Sequence, residues 1–384
     1  MSPLPLDAEK VGTASNAAIG ADAHGASAGN PVWRRFALLF LGVFATVVGI
    51  AYAFIILVDP YDSGRFISFG LPSPYDGATN RLVDVTGGIP ASGTASSGAS
   101  FGDTDTSQRT SNVALGRAPQ FNAAIFGNSH GQLLSPQRLS RATGLAFVQL
   151  TVPGSNVREQ LAMMHWFIAH HTDIAAMVLA LDERWCVTDP ALPVRTPFPF
   201  WLYSDSDLVY LSHAMSTRSL RDSIRRVAAA FGSPSAVDPA GYADYEIGKT
   251  WSFKPGRPAT ADEFPVGDGR ASPDFPGLIR LDAVLGELPA ATPVVIVMPP
   301  QFYTRLPPAG TPAAQFRDTC KDRIAQRARR GAGSAFIDFL VDSEIARRPE
   351  NFMDDEHYRA NIARIIEADI AGALGTRREA SGRD

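Results

Sequence analysis

The longest apolar stretch of the chain runs from Phe36 to Val58, 23 positions without a charge. About 20 helical residues, at 1.5 Å each, cross the ~30 Å hydrocarbon core of a bilayer. This run has no polar face, as a core helix of a soluble protein would, and it is longer than a typical signal-peptide apolar region. It therefore predicts one transmembrane helix over 36–58. Trp33-Arg34-Arg35 precedes the run and Asp59-Pro60 follows it. Positive charge favours the cytoplasmic side. The expectation is a single-pass inner-membrane protein with its N-terminus in the cytoplasm and its main domain periplasmic or extracellular. Residues 1–35 are rich in Ala, Gly and Ser without a period and predict a disordered cytoplasmic tail.

After the membrane run, the stretch 86–118 is nearly free of large apolar groups. It is dominated by Gly, Ser and Thr, and the whole region 59–120 predicts a flexible linker or long loop. Past Gln120 the pattern changes. Short apolar runs at Ala123–Gly127, Ala146–Thr151, Ala176–Leu181, Pro293–Met298 and Ala335–Leu340 predict five buried strands. Between them come helical spacings, such as Val157, Leu161, Met164 and Ile168, and further helices over roughly 276–288, 312–330 and 357–373. Ser135-Pro136 predicts a helix start, the Ser as cap and the Pro as first helical residue.

Continuous apolar strands alternating with amphipathic helices predict an α/β fold: a five-stranded parallel doubly wound sheet covered on both faces. That domain is expected over 121–375, with a disordered tail over 376–384. Residues 187–272 interrupt the alternation and predict an inserted helical and loop segment over the sheet edge. It contains an aromatic cluster, Phe198, Phe200, Trp201 and Tyr203.

Composition narrows the function classes. Lys plus Arg total 35 and Asp plus Glu total 39, a net charge of −4, so a basic nucleic-acid scaffold is not expected. Apolar residues are 45%, which excludes a wholly disordered chain. Two cysteines, Cys186 and Cys320, make one disulfide at most and no four-thiolate zinc site. His165, His170 and His171 lack the spacing of a ligand set, so no metal is expected. Arg323, Arg327, Arg329 and Arg330 read as a solvated helix end.

In parallel sheets, functional residues collect at the carboxyl ends of strands. The first strand runs into Gly127-Asn128-Ser129-His130-Gly131, a tight turn that can present a hydroxyl. After the fifth strand comes Phe352-Met353-Asp354-Asp355-Glu356-His357-Tyr358. A serine needs a base to be nucleophilic at neutral pH, and an imidazole suits. A carboxylate holds that imidazole in the right tautomer. Asp354 and His357, three apart, can share one side of a turn.

Together these residues resemble the SGNH (GDSL-like) hydrolase family, which has a flavodoxin-like sheet. Its first block is matched by Gly127-Asn128-Ser129, with Asn in place of Asp. Its last, Asp-x-x-His, is matched by Asp354-Asp355-Glu356-His357. The resemblance implies Ser129 as nucleophile, His357 as base and Asp354 as orienting acid. It implies Gly154, in Val152-Pro153-Gly154-Ser155-Asn156, as an oxyanion-hole residue. The family's third block expects an Asn donor where this chain has Asp182. Candidate oxyanion or substrate residues are thus Gly154, Asn156, Asp182, Asn128 and His130, with Arg184 placed to neutralise Asp182 instead.

The Gly-Asn-Ser-His form, the membrane span followed by Asp59-Pro60-Tyr61, and the Phe-x-Asp-x-x-His-Tyr ending are similar to SGNH domains of the alginate O-acetyltransferase type. That resemblance implies an envelope-facing serine esterase or O-acyltransferase. It would act on acyl groups of a polysaccharide or other acylated carbohydrate, without a cofactor, with a membrane acyl-donor protein as a partner. The aromatic cluster would then stack on sugar or pack in the core. The alternative is a non-catalytic SGNH-like domain that binds polysaccharide or scaffolds an acylation or export complex.

Overall fold

All five apolar runs pair into one sheet in the computed structural model. It describes residues 31–71, 101–187, 189, 197–231, 238–258, 274–329, 331 and 333–381, with backbone alone at 101–107 and 376–381. The strands are β1 (Ala123–Gly127), β2 (Phe147–Thr151), β3 (Ala176–Ala180), β4 (Val294–Met298) and β5 (Ala335–Asp338). Their order is β2-β1-β3-β4-β5 and every pairing is parallel. The fold is therefore α/β with a five-stranded parallel sheet. The helices before β3 are α1 (Pro31–Val58), α2 (Phe101–Arg117), α3 (Pro136–Thr143) and α4 (Val157–His170). After β3 come α5 (Arg184–Val187), α6 (Asp207–Ala214), α7 (Thr217–Ala230) and α8 (Pro276–Gly286). The last are α9 (Pro312–Arg327), α10 (Glu344–Arg347) and α11 (Ala360–Ser381).

Strand side chains alternate between two faces, and both are buried. Phe126, Leu150, Leu179 and Ile296 share one core with Met164 of α4, Leu281 of α8 and Ile324 of α9. Ile125, Phe147, Val178 and Val297 share the other with Leu139 of α3 and with Ile362, Ile366 and Ile370 of α11. The predicted start of α3 holds: Ser135 Oγ accepts the Arg138 N–H at 3.2 Å, and Pro136 is the first helical residue.

The chain divides into two units, Met1–Ala51 and Tyr52–Asp384. In the first, α1 begins at Pro31, inside the segment expected to be a disordered tail. Proline loses no helical hydrogen bond at that position; residues 1–30 lie outside the described residues. Helix α1 has 28 residues and is long and apolar enough to cross a membrane.

The expected linker over 59–120 is corrected on both sides; its middle, 72–100, lies outside the described residues. Residues 59–71 are fastened by polar bonds. The Asp59 carboxylate accepts from Ser63 N–H and Oγ, each at 2.9 Å, and from Gly64 N–H at 2.7 Å. Residues 101–117 form α2, in which Val113 and Leu115 are fully buried. The Arg109 guanidinium meets Glu159 at 3.4 Å, and Trp166 donates to the Val113 carbonyl at 2.9 Å. The burial here is largely polar, so an apolar pattern did not reveal it. The expected tail from 376 is likewise corrected, because α11 continues to Ser381 through residues that mostly favour helix.

Described parts of the 187–272 segment form α6 and α7 and then a stretch, 238–258, along the sheet edge. There the Gln149 N–H of β2 donates to the Ala240 carbonyl at 2.8 Å. The aromatic cluster packs inward: Phe198 and Tyr203 are buried and stacked with centroids 5.0 Å apart.

Cys186 and Cys320 form a disulfide, with Cα atoms 5.8 Å apart across 134 residues of sequence. It ties α5, directly after β3, to α9. Closing so long a loop restricts the unfolded chain, so Cys186→Ser/Cys320→Ser should lose about 2–4 kcal/mol. Thermal unfolding with and without reductant checks this: reductant should lower the wild-type midpoint and leave the variant's unchanged.

Candidate functional site

The turn from Gly127 to Gly131 sits where β1 meets β3 at the carboxyl edge of the sheet. A Cβ on Gly127 would lie 2.8 Å from the Ala180 carbonyl oxygen, and one on Gly131 would lie 2.9 Å from the Ala180 Cβ. Only glycine fits that approach at both ends of the turn. Between them, Ser129–Gly131 forms one 3-10 turn capped by Asn128, whose Oδ1 accepts the His130 N–H at 3.0 Å. Ser129 is half-buried.

The loop before α11 brings the second half of the site. Met353 N–H bonds the His357 carbonyl at 2.7 Å, and Phe352 and Tyr358 form an antiparallel bridge. This closes a short loop with Asp354 and His357 on one side. Ser129 Oγ lies 2.9 Å from His357 Nε2. His357 Nδ1 lies 2.9 Å from each oxygen of Asp354. With Nδ1 protonated toward the carboxylate, Nε2 is the acceptor for the serine proton. Tyr358 ties the two loops together, its hydroxyl donating to the His130 carbonyl at 2.6 Å.

Burial alone would raise the Asp354 pKa. The hydrogen bond and charge of His357 and the N–H groups of Glu356 and His357 outweigh it, lowering the pKa to about 2. A depressed folded-state pKa means a stabilising contribution that is complete above the ordinary carboxylate range. It is lost only as pH falls through about 2. Asp354 therefore stays ionised between pH 4 and 8. An NMR titration of its carboxyl carbon should show no step in that range. A step between pH 4 and 8 that disappears in Asp354→Asn would contradict this.

Asp182 departs from the role of oxyanion donor. Its carboxylate is 5% exposed and accepts from Asn128 Nδ2 at 2.5 Å and from the Arg184 N–H at 3.0 Å. Burial pushes its pKa up, but His130, Arg184 and Asn128 together bring it below the usual range. It is thus an acceptor only. Asn128 is also buried: its Nδ2 donates to Asp182 and its Oδ1 accepts the His130 N–H, so the amide braces the turn. His130 is buried, its Nδ1 3.6 Å from Asp182 and its Nε2 without a hydrogen-bond partner among the described residues. The three side chains form the support beneath Ser129.

Asn156 caps α4, its Oδ1 accepting the Glu159 N–H at 3.0 Å. Gly154 is exposed with φ 67°, and its N–H donates to no backbone carbonyl among the described residues. The same holds for the Ser129 N–H, at the start of its turn.

The insertion expected over the sheet edge also covers the His357 loop through 238–258, with residues the sequence did not single out. The Tyr245 ring stands edge-on to His357 with centroids 5.6 Å apart, and its hydroxyl donates to the Tyr358 carbonyl. Glu246 accepts from Arg359 and from the Ala360 N–H, each at 2.8 Å. Trp251 donates to the Phe352 carbonyl at 2.8 Å. No local motif marks these residues; only the late aromatic content of the inserted segment hints at them. Compared with protein-family models and with curated proteins, the chain matches none.

Proposed function

We propose that the protein is a serine-dependent ester hydrolase or O-acyltransferase, acting through Ser129, His357 and Asp354. The observation that carries this reading is the continuous hydrogen-bonded line from Ser129 Oγ through His357 to Asp354. It joins residues 228 positions apart, in the arrangement that activates a serine. The strand order β2-β1-β3-β4-β5 supports a doubly wound, flavodoxin-like and SGNH-like domain.

Ser129 Oγ attacks the ester carbonyl while His357 Nε2 takes its proton. The C–O bond to the leaving alcohol then breaks, and His357 returns that proton to the alcohol oxygen. A sugar hydroxyl or water next attacks the acyl-serine, His357 accepting its proton and passing it to Ser129 Oγ as the acyl group departs. The oxyanion donors are the N–H groups of Ser129 and Gly154, because Asp182 only accepts. This chemistry needs no cofactor.

The substrate we propose is an acylated polysaccharide or other carbohydrate of the cell envelope, with a membrane acyl-donor protein as partner if transfer dominates. Arg34 and Arg35 before the span support an outward-facing domain. The Cys186–Cys320 disulfide supports an oxidising compartment. A second reading, a non-catalytic carbohydrate-binding or scaffold domain, is favoured by the carboxylate at 182. The test incubates the detergent-solubilised full chain with an aryl acetate, with and without de-acetylated polysaccharide oligomers. Release of acetate supports the esterase, acetylated oligomers support the transferase, and neither from a folded sample supports the scaffold.

A further inference from the structure

The last turns of α1 are packed by the inserted helices, and those helices carry uncovered apolar and basic side chains. The Tyr52 hydroxyl donates to the Leu211 carbonyl of α6 at 2.8 Å. Tyr52 lies six residues before the end of the apolar run, about 9 Å inside it along the helix axis. Arg226 of α7 donates to the carbonyl of Asp59, the first residue beyond the run, at 2.7 Å. The Tyr61 hydroxyl meets Ser219 Oγ of α7 at 3.2 Å. The Phe69 N–H returns to the Leu57 carbonyl at 2.8 Å. Both inserted helices are thus bonded to the end of the apolar run and to the residues just after it.

On or next to these two helices Leu208 is 78% exposed, Ile224 57% and Phe231 83%, and Ile67 and Phe69, which follow the apolar run in sequence, are exposed too. Arg218, Arg221 and Arg225 of α7 are exposed as well. Among the described residues Asp222 offsets them, 3.8 Å from Arg218 and 3.7 Å from Arg225. Apolar side chains with arginines on one short helix, lying at the bilayer surface, have the composition of an interfacial helix on anionic lipid.

We infer that α6 and α7 form a second membrane contact, seated in the phospholipid leaflet from which α1 emerges, with the α7 arginines on anionic headgroups. The contact fixes how the domain stands on the membrane rather than letting it swing from a single helix. The inference rests on α1 crossing the bilayer and not on the chemistry at Ser129.

The test uses the full chain in nanodiscs of phosphatidylcholine and phosphatidylglycerol in equal parts. Leu208→Cys and Ile224→Cys are each labelled with bimane, and lipids carrying doxyl groups act as quenchers. Leu39→Cys in α1 reports the crossing itself, and Ile365→Cys on exposed α11 is the distant control. Emission at 208 and 224 should fall about twofold, as at 39, with 365 unchanged. Reversing the charges (Arg218→Glu/Arg221→Glu/Arg225→Glu) should reduce the quenching at 224. Quenching at 39 without quenching at 208 and 224 overturns the inference alone. No quenching at 39 overturns the crossing and the inference with it. Quenching at 224 that is indifferent to charge reversal overturns the anionic-headgroup part.

Discussion

Replacing Ser129 by Ala should lower kcat for an aryl acetate by about 10³–10⁴-fold while leaving the fold intact. The side chain is half-buried, and the described contact of its hydroxyl is with His357 Nε2 at 2.9 Å. Little packing is lost with one oxygen, so the thermal midpoint should move by no more than a few degrees. His357→Ala should lose a comparable factor, and the double variant should be barely worse than either single one. Groups that act as a unit are not additive. The His357 ring also stands beside Tyr245 and His130, so His357→Gln is the better-packed control. Steady-state kinetics on the four proteins, with unfolding curves beside them, decide the matter. Additive losses would mean that the two residues do not work together.

The second large effect concerns the Asn128–Asp182 pair beneath Ser129. Asn128→Asp places two carboxylates at a contact that now joins an amide donor to an ionised acceptor at 2.5 Å. Both residues are at most 5% exposed, so neither charge is relieved by water. The expected cost is about 2–3 kcal/mol of stability. Activity should fall about 10²-fold, because Asn128 also caps the turn that carries Ser129. Asp182→Asn alone leaves one of two donors, the Asn128 amide or the Arg184 N–H, without a carboxylate and costs less. The double exchange Asn128→Asp/Asp182→Asn restores one donor and one acceptor. Its loss should be well below the sum of the single losses, and a double-mutant cycle in urea measures that coupling. Simple additivity would show that the contact has no part in holding the turn.

That pair also shows where sequence reading succeeds and stops. Asn at 128 and Asp at 182 are each legible as departures from a known pattern. Their meeting is not, because it depends on β1 lying beside β3. The strands were legible since continuous apolar runs have few other uses in a chain of this size. The two halves of the candidate site were legible because serine after a strand and Asp-x-x-His before a helix are local patterns. The strand order carries no local signature. The packing of 59–71 and 101–117 was hidden by its polarity: Asp59, Arg109 and Glu159 are buried through hydrogen bonds that no apolar periodicity records. Tyr245 was hidden by distance, its hydroxyl reaching a carbonyl 113 residues away.

The supports of His357 come from that distant segment, so the inserted stretch is more than an appendage. Tyr245, Glu246 and Trp251 each hold a different part of the loop from Phe352 to Ala360. The same insertion carries α6 and α7, which bond Tyr52, Asp59 and Tyr61 at the end of the apolar run and just after it.

The most direct measurement treats the folded full chain with a fluorophosphonate and maps the adduct by peptide mass spectrometry. The account predicts one adduct, on Ser129, formed rapidly in the wild type and lost in His357→Gln. A folded wild-type protein that forms no adduct, or one that labels Ser129 equally well without His357, would contradict an activated serine at this site.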